Sequence, residues 1–351
     1  MENKYQARVD ELRHMMRIKG WDAVIITGSD PHSSEYPALR WKQVEWISGF
    51  TGEAGDIVVT ADHAGLWTDT RYFIQANKQL AGTGIELHKT RVPDQVLIPE
   101  WLAKHAFAEK DRSVVVAVDG LCQGVSAIGD IKSAFIAAGR QEGSRDEDGF
   151  RILSIPDMLE DFWEDRPAIP QTPIITLGSD LTGEDRCSKI EWLRETVAGS
   201  GCDAILVTAL DEIAWLLNAR GSDIEYNPLI ISYLLVTREK VEWFVKKSAS
   251  MDGETRDSFD EIRSDGVTIC PYDDIFVTLA EEMTDGSIDK LFIDPQTLNY
   301  SLYNILKTNA PSDAIVEATS PVGFRKAQKN ATEIEGMRDI HIEDGLAMEH
   351  F

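Results

Sequence analysis

Val9-Asp-Glu-Leu-Arg-His-Met-Met-Arg-Ile-Lys-Gly-Trp-Asp-Ala-Val-Ile-Ile-Thr27 returns 181 positions later as Ile190-Glu-Trp-Leu-Arg-Glu-Thr-Val-Ala-Gly-Ser-Gly-Cys-Asp-Ala-Ile-Leu-Val-Thr208. Leu12/Leu193, Arg13/Arg194, Gly20/Gly201, Asp22/Asp203, Ala23/Ala204 and Thr27/Thr208 coincide without a gap. Each copy predicts an amphipathic helix, a glycine that stops it and a short buried strand. A spacing this long is far beyond the 20–50 residues of a solenoid repeat and implies a duplicated domain.

Outward from this core the likeness continues. Val59–Trp67 and Val236–Trp243 both read as strand, polar turn, strand, with a one-residue adjustment between them. Val114–Asp119 and Leu291–Asp294 are short β-branched or aromatic runs closed by aspartate, followed by helical patterns at 127–138 and 300–308. Each domain therefore reads as helix, strand, helix, hairpin, helix, strand, helix. A hairpin inside such an alternation predicts an α/β fold with a mixed sheet flanked by helices. The segment Trp163-Glu-Asp-Arg-Pro-Ala-Ile-Pro-Gln-Thr-Pro173 carries three prolines in seven residues and reads as a stiff, extended connection. It divides a first domain at 1–162 from a second at 174–322, with 163–173 as linker. Stretches 142–148 and 251–266 read as surface loops, Asp211 as the N-cap of a helix closed by Gly221, and Trp67 and Trp243 are expected near each other in equivalent elements. From 323 the chain enters a linker and a helix opened by Asn330, with Glu333 three residues on as in a capping box. Its stripe of Ile334, Met337, His341, Gly345 and Met348 has nothing after it to pack on, so the expectation is the first helix of a missing domain.

Composition narrows the function. With 60 acidic against 35 basic residues the net charge is −25, which repels phosphate backbones and anionic lipid. Neither a nucleic acid nor a membrane is expected as partner. No apolar run is long enough to span a bilayer, and the first residues lack the apolar core of a signal peptide. Cys122, Cys187, Cys202 and Cys270 form no CxxC and read as reduced thiols, so the cytoplasm is the expected compartment.

Motif searches find no GxxxxGK[ST], GxSxG, HExxH or EF-hand loop. Gly49-Phe-Thr-Gly-Glu-Ala-Gly55 reads as a strand-entry turn. Five of the seven histidines lie at or before His105 and the others are His341 and His350, which excludes a histidine-containing metal site within 106–340. In the first domain no close His/Asp/Glu pair at helical or hairpin ligand spacing stands out; the 60 acidic residues leave an all-carboxylate site open, but no ligand loop is visible and no metal site is expected. Two clusters exceed background. Asp30-Pro-His32-Ser-Ser-Glu35-Tyr36 follows the first strand and either lines a crevice with His32 and Glu35 or is a polar turn. In Trp67-Thr-Asp69-Thr-Arg71-Tyr72-Phe73 an arginine buried between aromatics either offers its fork to a carboxylate or carbonyl, or pairs with Asp69 to fix a corner. Paired acids at 211 and 212 suit a helix start better than acid–base work.

On these residues the chain resembles the two N-terminal domains of the Xaa-Pro aminopeptidases, members of the creatinase/prolidase-like metallopeptidases. The matching stretches are Ser29–Tyr36, Ile47–Gly55, Leu66–Phe73, Trp163–Pro167 and Thr208–Asp223, with Lys326–Asn330 and Glu335–Arg338 resembling the entry into a catalytic domain. The resemblance implies two creatinase N-terminal-like domains, in a cytosolic enzyme that removes the first residue from peptides with proline second. It places two divalent metals, commonly manganese, on two Asp, one His and two Glu of a C-terminal catalytic domain that this stretch lacks. No catalytic residue and no cofactor are then expected here. Arg71 is expected to help hold the peptide, supported by Asp69 and Tyr72, with His32 and Glu35 as further substrate-binding candidates. Partners are then proline peptides and the chain's own catalytic domain, and a homodimer is compatible with the resemblance. The competing expectation is a stand-alone creatinase-like interaction module without peptidase activity.

Overall fold

A computed structural model describes residues 3–109, 111–246 and 253–351. It forms two compact units, residues 1–168 with 298–303, and 169–297 with 304–351.

In the first unit the strands are β1 (Ala23–Ile26), β2 (Asp56–Thr60), β3 (Ala64–Thr68), β4 (Glu86–Lys89), β5 (Val114–Val118), β6 (Gln141–Glu142) and β7 (Gly149–Ser154). They order as β4-β3-β2-β1-β5-β7-β6. The pairs β1–β2 and β2–β3 are antiparallel and the rest parallel, so the sheet is mixed. All four residues of β1 are buried because helices cover both faces. Val24 and Ile26 pack with Val9, Leu12 and Met16 of the helix Lys4–Lys19. Ala23 and Ile25 pack with Ile128, Ile131 and Phe135 of the helix Val125–Ala137. The first helix is opened by Asn3, whose side chain accepts the N–H of Tyr5 at 3.0 Å, and closed by Gly20 in the left-handed region at φ +68°.

In the second unit β8 (Ile175–Thr176) pairs with β10 (Ala219–Arg220) as a small ribbon. The main sheet contains β9 (Ala204–Val207), β11 (Ser232–Thr237), β12 (Val241–Val245), β13 (Val267–Pro271), β14 (Leu291–Ile293) and β15 (Ile315–Glu317), in the order β13-β12-β11-β9-β14-β15. Replacing β9, β11, β12, β13, β14 and β15 by β1, β2, β3, β4, β5 and β7 reproduces the first sheet without its edge strand β6, with the same parallel and antiparallel pairs. Asp22 and Asp203 match in detail. Each precedes the first strand of its unit and accepts backbone N–H groups at the start of the parallel neighbour, Val115 in one case and Lys290 in the other, both at 2.7 Å. The two units are thus copies of one mixed-sheet α/β fold.

Trp67 and Trp243 lie on equivalent strands, as expected, one residue apart: pairing of Ala64 with Val59 and of Val241 with Val236 puts Trp243 level with Leu66. They face opposite sides of the sheet, because side chains alternate along a strand. Three expectations need correction. The helix Leu210–Leu217 has Ala209, not Asp211, at its N-cap, and is closed by Asn218 at φ +50° rather than by Gly221. Asp211 and Glu212 sit inside its first turn, where their charge still suits the helix dipole. Residues 253–264 form a helix, not a loop, since Thr255, Ser258, Phe259 and Ile262 make a buried stripe beneath an acidic outer face; 251 and 252 lie outside the described residues. Finally, β4, β7 and β6 extend the first sheet, and β13 and β15 the second, beyond the predicted hairpin and central pair.

The capping box of Asn330 and Glu333 is formed, and the helix Ala331–His350 that it opens has no buried residue. Among the described residues no helix is long and apolar enough to cross a membrane, and the four cysteines are free thiols.

Candidate functional site

Strand β3 ends at Thr68, and the chain turns through Asp69 to Tyr72 into the helix Phe73–Gln79. Asp69 is buried and accepts the backbone N–H of Arg71 at 3.0 Å, which closes a tight local turn. The guanidinium of Arg71 then folds back on the same carboxylate, Nε donating to Oδ1 at 3.0 Å and Nη2 to Oδ2 at 2.9 Å. Arg91 Nη1 lies 3.8 Å from Oδ2 on the other side. The hydrogen bond from Arg71 holds the Asp69 carboxyl below its ordinary range, and Asp69 in turn raises the proton affinity of Arg71, with a smaller contribution from Glu35. Arg71 stays fully charged.

The corner pair foreseen in the sequence is therefore formed, but Arg71 is not buried between aromatics. Its side chain is 53% exposed, because the return to Asp69 from two residues downstream keeps it at the surface. The Tyr72 ring centre lies 5.1 Å from the guanidinium carbon, braced edge-on against Phe50 at 5.8 Å. One edge of the fork is spent on Asp69, and Nη1 has no hydrogen-bond partner among the described residues. A planar cation fixed on one edge and open on the other suits a carbonyl or carboxylate.

Beside this corner lies a cavity of about 370 Å³ lined by Asp56, Trp67, Thr68, Asp69, Arg91 and Gln123 among others. Asp56 accepts the N–H of Gly28 at 3.0 Å, and its burial pushes its carboxyl up. The Asp30–Tyr36 loop is a built turn: Asp30 Oδ1 accepts the N–H groups of His32 and Ser34, both at 2.9 Å. His32 is buried, whereas Glu35 is exposed and its charge acts on Arg71. Asp69, Arg71 and Tyr72 thus meet at one corner, and Glu35 acts on it through its charge.

In the second unit the buried Glu212 accepts a hydrogen bond from Ser320 Oγ at 2.6 Å, and burial raises its carboxyl to about 6. Asp211 pairs with Lys326. The buried Lys189 donates to the Trp215 carbonyl at 2.9 Å and to Asn218 Oδ1 at 2.6 Å; burial lowers it to about 8. Both groups tie helix ends together, and nothing in the sequence pattern marks Lys189 among the other surface-type lysines.

One cluster escaped the motif search. His63 in the β2–β3 turn meets Glu86 and His88 on β4, with one ligand atom of each within 4.8 Å of the others. Glu86 and His88 are two apart, a strand spacing rather than a helical one, and His63 joins them only through sheet pairing. Among the described residues it is the single group of three or more His, Cys, Asp or Glu side chains so gathered. It contains no aspartate and one carboxylate, so it does not fit the two Asp, one His and two Glu that the resemblance places in a catalytic domain. No step of peptide cleavage is derived through it.

Comparison with known proteins places these features in a family. Residues 8–126 and 165–333 each match the creatinase/prolidase N-terminal domain. Xaa-Pro aminopeptidase 1 of Dictyostelium discoideum is 34% identical over 347 residues, covering 98% of this chain and 52% of the relative. The Xaa-Pro aminopeptidase app-1 of Caenorhabditis elegans is 33% identical over 356 residues, covering 98% and 54%. The crystal structure of an X-prolyl aminopeptidase from Caenorhabditis elegans, described as a cytosolic enzyme with a di-nuclear active site, superposes with a TM-score of 0.85 at 31% identity, over 98% of this chain and 54% of that one. The chain spans about half the length of these relatives. It belongs to the creatinase/prolidase N-terminal domain family and carries that domain twice.

Proposed function

We propose that these two domains are the non-catalytic N-terminal region of an Xaa-Pro aminopeptidase, shaping access for peptides with proline second and lending Arg71 to the substrate. The observation that carries this reading is the half-exposed Arg71 fork, fixed on one edge by Asp69 and open on the other, in a chain similar along 98% of its length to such enzymes. On this reading the chain is inactive by itself, and two divalent metals, manganese, belong to a catalytic domain that its first two domains meet. The enzyme acts in the cytoplasm on peptides, without nucleic acid or membrane, in keeping with a net charge of −25.

The chain's own contribution is positional. A guanidinium locked by Asp69 meets a peptide carbonyl or carboxylate without having to be ordered first, so binding loses less side-chain entropy. Arg71→Lys in the intact aminopeptidase tests this. Lysine keeps a cation for buried Asp69 but cannot span two acceptors. The expected result is an unchanged melting temperature and a fall in kcat/KM of about ten- to hundredfold. Native kcat/KM in a folded Arg71→Lys enzyme would reject the role. Turnover of a proline peptide by the 351-residue chain with added manganese, surviving repurification, would reject the non-catalytic assignment.

A further inference from the structure

The parallel pairing of β3 with β4 sets Gly65 opposite Glu86 and Trp67 opposite His88. Glu86 and His88 share a face of the sheet because they are two residues apart. His63, held in the preceding turn by its N–H to Thr60 Oγ1 at 3.1 Å, swings its ring over the same face. Its Nε2 stands 3.0 Å from Nε2 of His88, and its Nδ1 lies 4.0 Å from Glu86 Oε2.

The two rings are held in place by other side chains. His88 stacks flat on Trp67, with centres 3.8 Å apart and planes 8° apart, and Trp67 is itself anchored by Nε1 donating to the Val96 carbonyl at 2.9 Å. His63 leans on Trp101 at 4.7 Å. Gly65 makes the space: a Cβ there would come within 2.7 Å of both His63 Nε2 and His88 Cδ2. A strand interior is an unfavourable place for glycine unless something must approach the backbone closely, and here two imidazoles do.

We propose that His63, His88 and Glu86 form a binding site for a single zinc-class divalent cation, clasping the β2–β3 turn to the edge strand β4. Zinc–nitrogen bonds of about 2.0–2.1 Å at a tetrahedral centre put two imidazole nitrogens about 3.3 Å apart, so the pair opens only a few tenths of an ångström to admit the ion. The Glu86 side chain is 75% exposed and free to turn inward as the third ligand, leaving the fourth position to water. Two imidazoles and one carboxylate favour zinc over calcium or magnesium, which require oxygen ligands. Imidazole in its neutral form, the prevailing one at neutral pH, offers a ring nitrogen to the ion. Both rings then carry their proton on Nδ1, and the ion takes the place of the hydrogen between the two Nε2 atoms.

The test is zinc titration of the 351-residue chain, freed of any tag and of bound metal, by calorimetry, with cobalt absorption as a second readout. Zinc is expected to bind at one equivalent, and His63→Ala and His88→Ala each to weaken that binding at least about tenfold. His14→Ala and His105→Ala should leave it unchanged. If His88→Ala fails to fold, His63→Ala decides, since His63 lies in a turn, and nitrogen-edited NMR of the wild-type imidazoles should show both on the Nδ1–H tautomer once zinc is added. Absence of binding, affinity equal to wild type in a folded His63→Ala chain, or no change of tautomer would overturn the site.

Discussion

At the scale of single residues, the buried groups separate by whether a partner satisfies them. Asp69 lies low because Arg71 forks it, and the two are close enough in sequence for the pair to be foreseen. Asp119 is the opposite case. Oδ1 accepts the N–H groups of Leu121 and Asp157 at 3.0 and 3.1 Å, but Oδ2 is buried with no hydrogen-bond partner. Burial lifts this carboxyl from 3.8 to about 6. The folded chain therefore keeps a proton that the unfolded chain has released, and stability falls as pH rises through that window. Asp119→Asn keeps the Oδ1 acceptor and removes the titration. Its stability relative to wild type should rise by about 2–2.5 kcal/mol between pH 4 and pH 7.5, measured by urea unfolding at both pH values. A difference that does not change with pH would show that Asp119 ionises freely in the fold. His63 and His88 could not be foreseen as a pair, since they are 25 residues apart and only strand register joins them.

At the scale of elements, legibility followed apolar content. The strands β1, β5, β9 and β14 are short runs of apolar residues and stood out at once. Strand β4 did not, because Glu-Leu-His-Lys has one apolar residue in four and sits at the edge of its sheet. With it went the chance of seeing Glu86 and His88 as neighbours. The helix Gly253–Ser264 was hidden in another way: its acidic residues dominate the composition, and its buried stripe is carried by two polar and two apolar side chains. Phe259 is its main anchor, 1% exposed and edge-on to Trp243 at 5.8 Å. Phe259→Ala should lower stability by about 3–5 kcal/mol through the cavity it leaves. An exposed neighbour, Asp257→Ala, should change it by less than about 0.5 kcal/mol. Equal, small losses in thermal or urea unfolding would mean that the helix is not packed as described.

At the scale of the whole molecule, the duplication extends to its polar fastenings. In each unit the helix of the repeat sends an arginine from the repeated Leu-Arg pair to the carbonyl at the end of the antiparallel neighbour, β2 or β11: Arg13 Nε donates to Thr60 O at 3.1 Å, and Arg194 Nε to Thr237 O at 2.9 Å. The repeat was legible because helix, glycine stop, strand and this arginine recur together, each constrained by the same sheet. The site was less so, since the duplicated frame says nothing of Arg71. If the two arginines are one feature inherited twice, their loss should have matching effects. Each alanine substitution removes a charge-assisted hydrogen bond from a partly buried carbonyl and should cost about 1–2 kcal/mol. The two share no partner, so the double variant should lose the sum of the single losses to within about 0.5 kcal/mol. Urea unfolding of Arg13→Ala, Arg194→Ala and the double variant measures all three. A large loss from one and none from the other would mean that the copies keep the hydrogen bond but not its structural role.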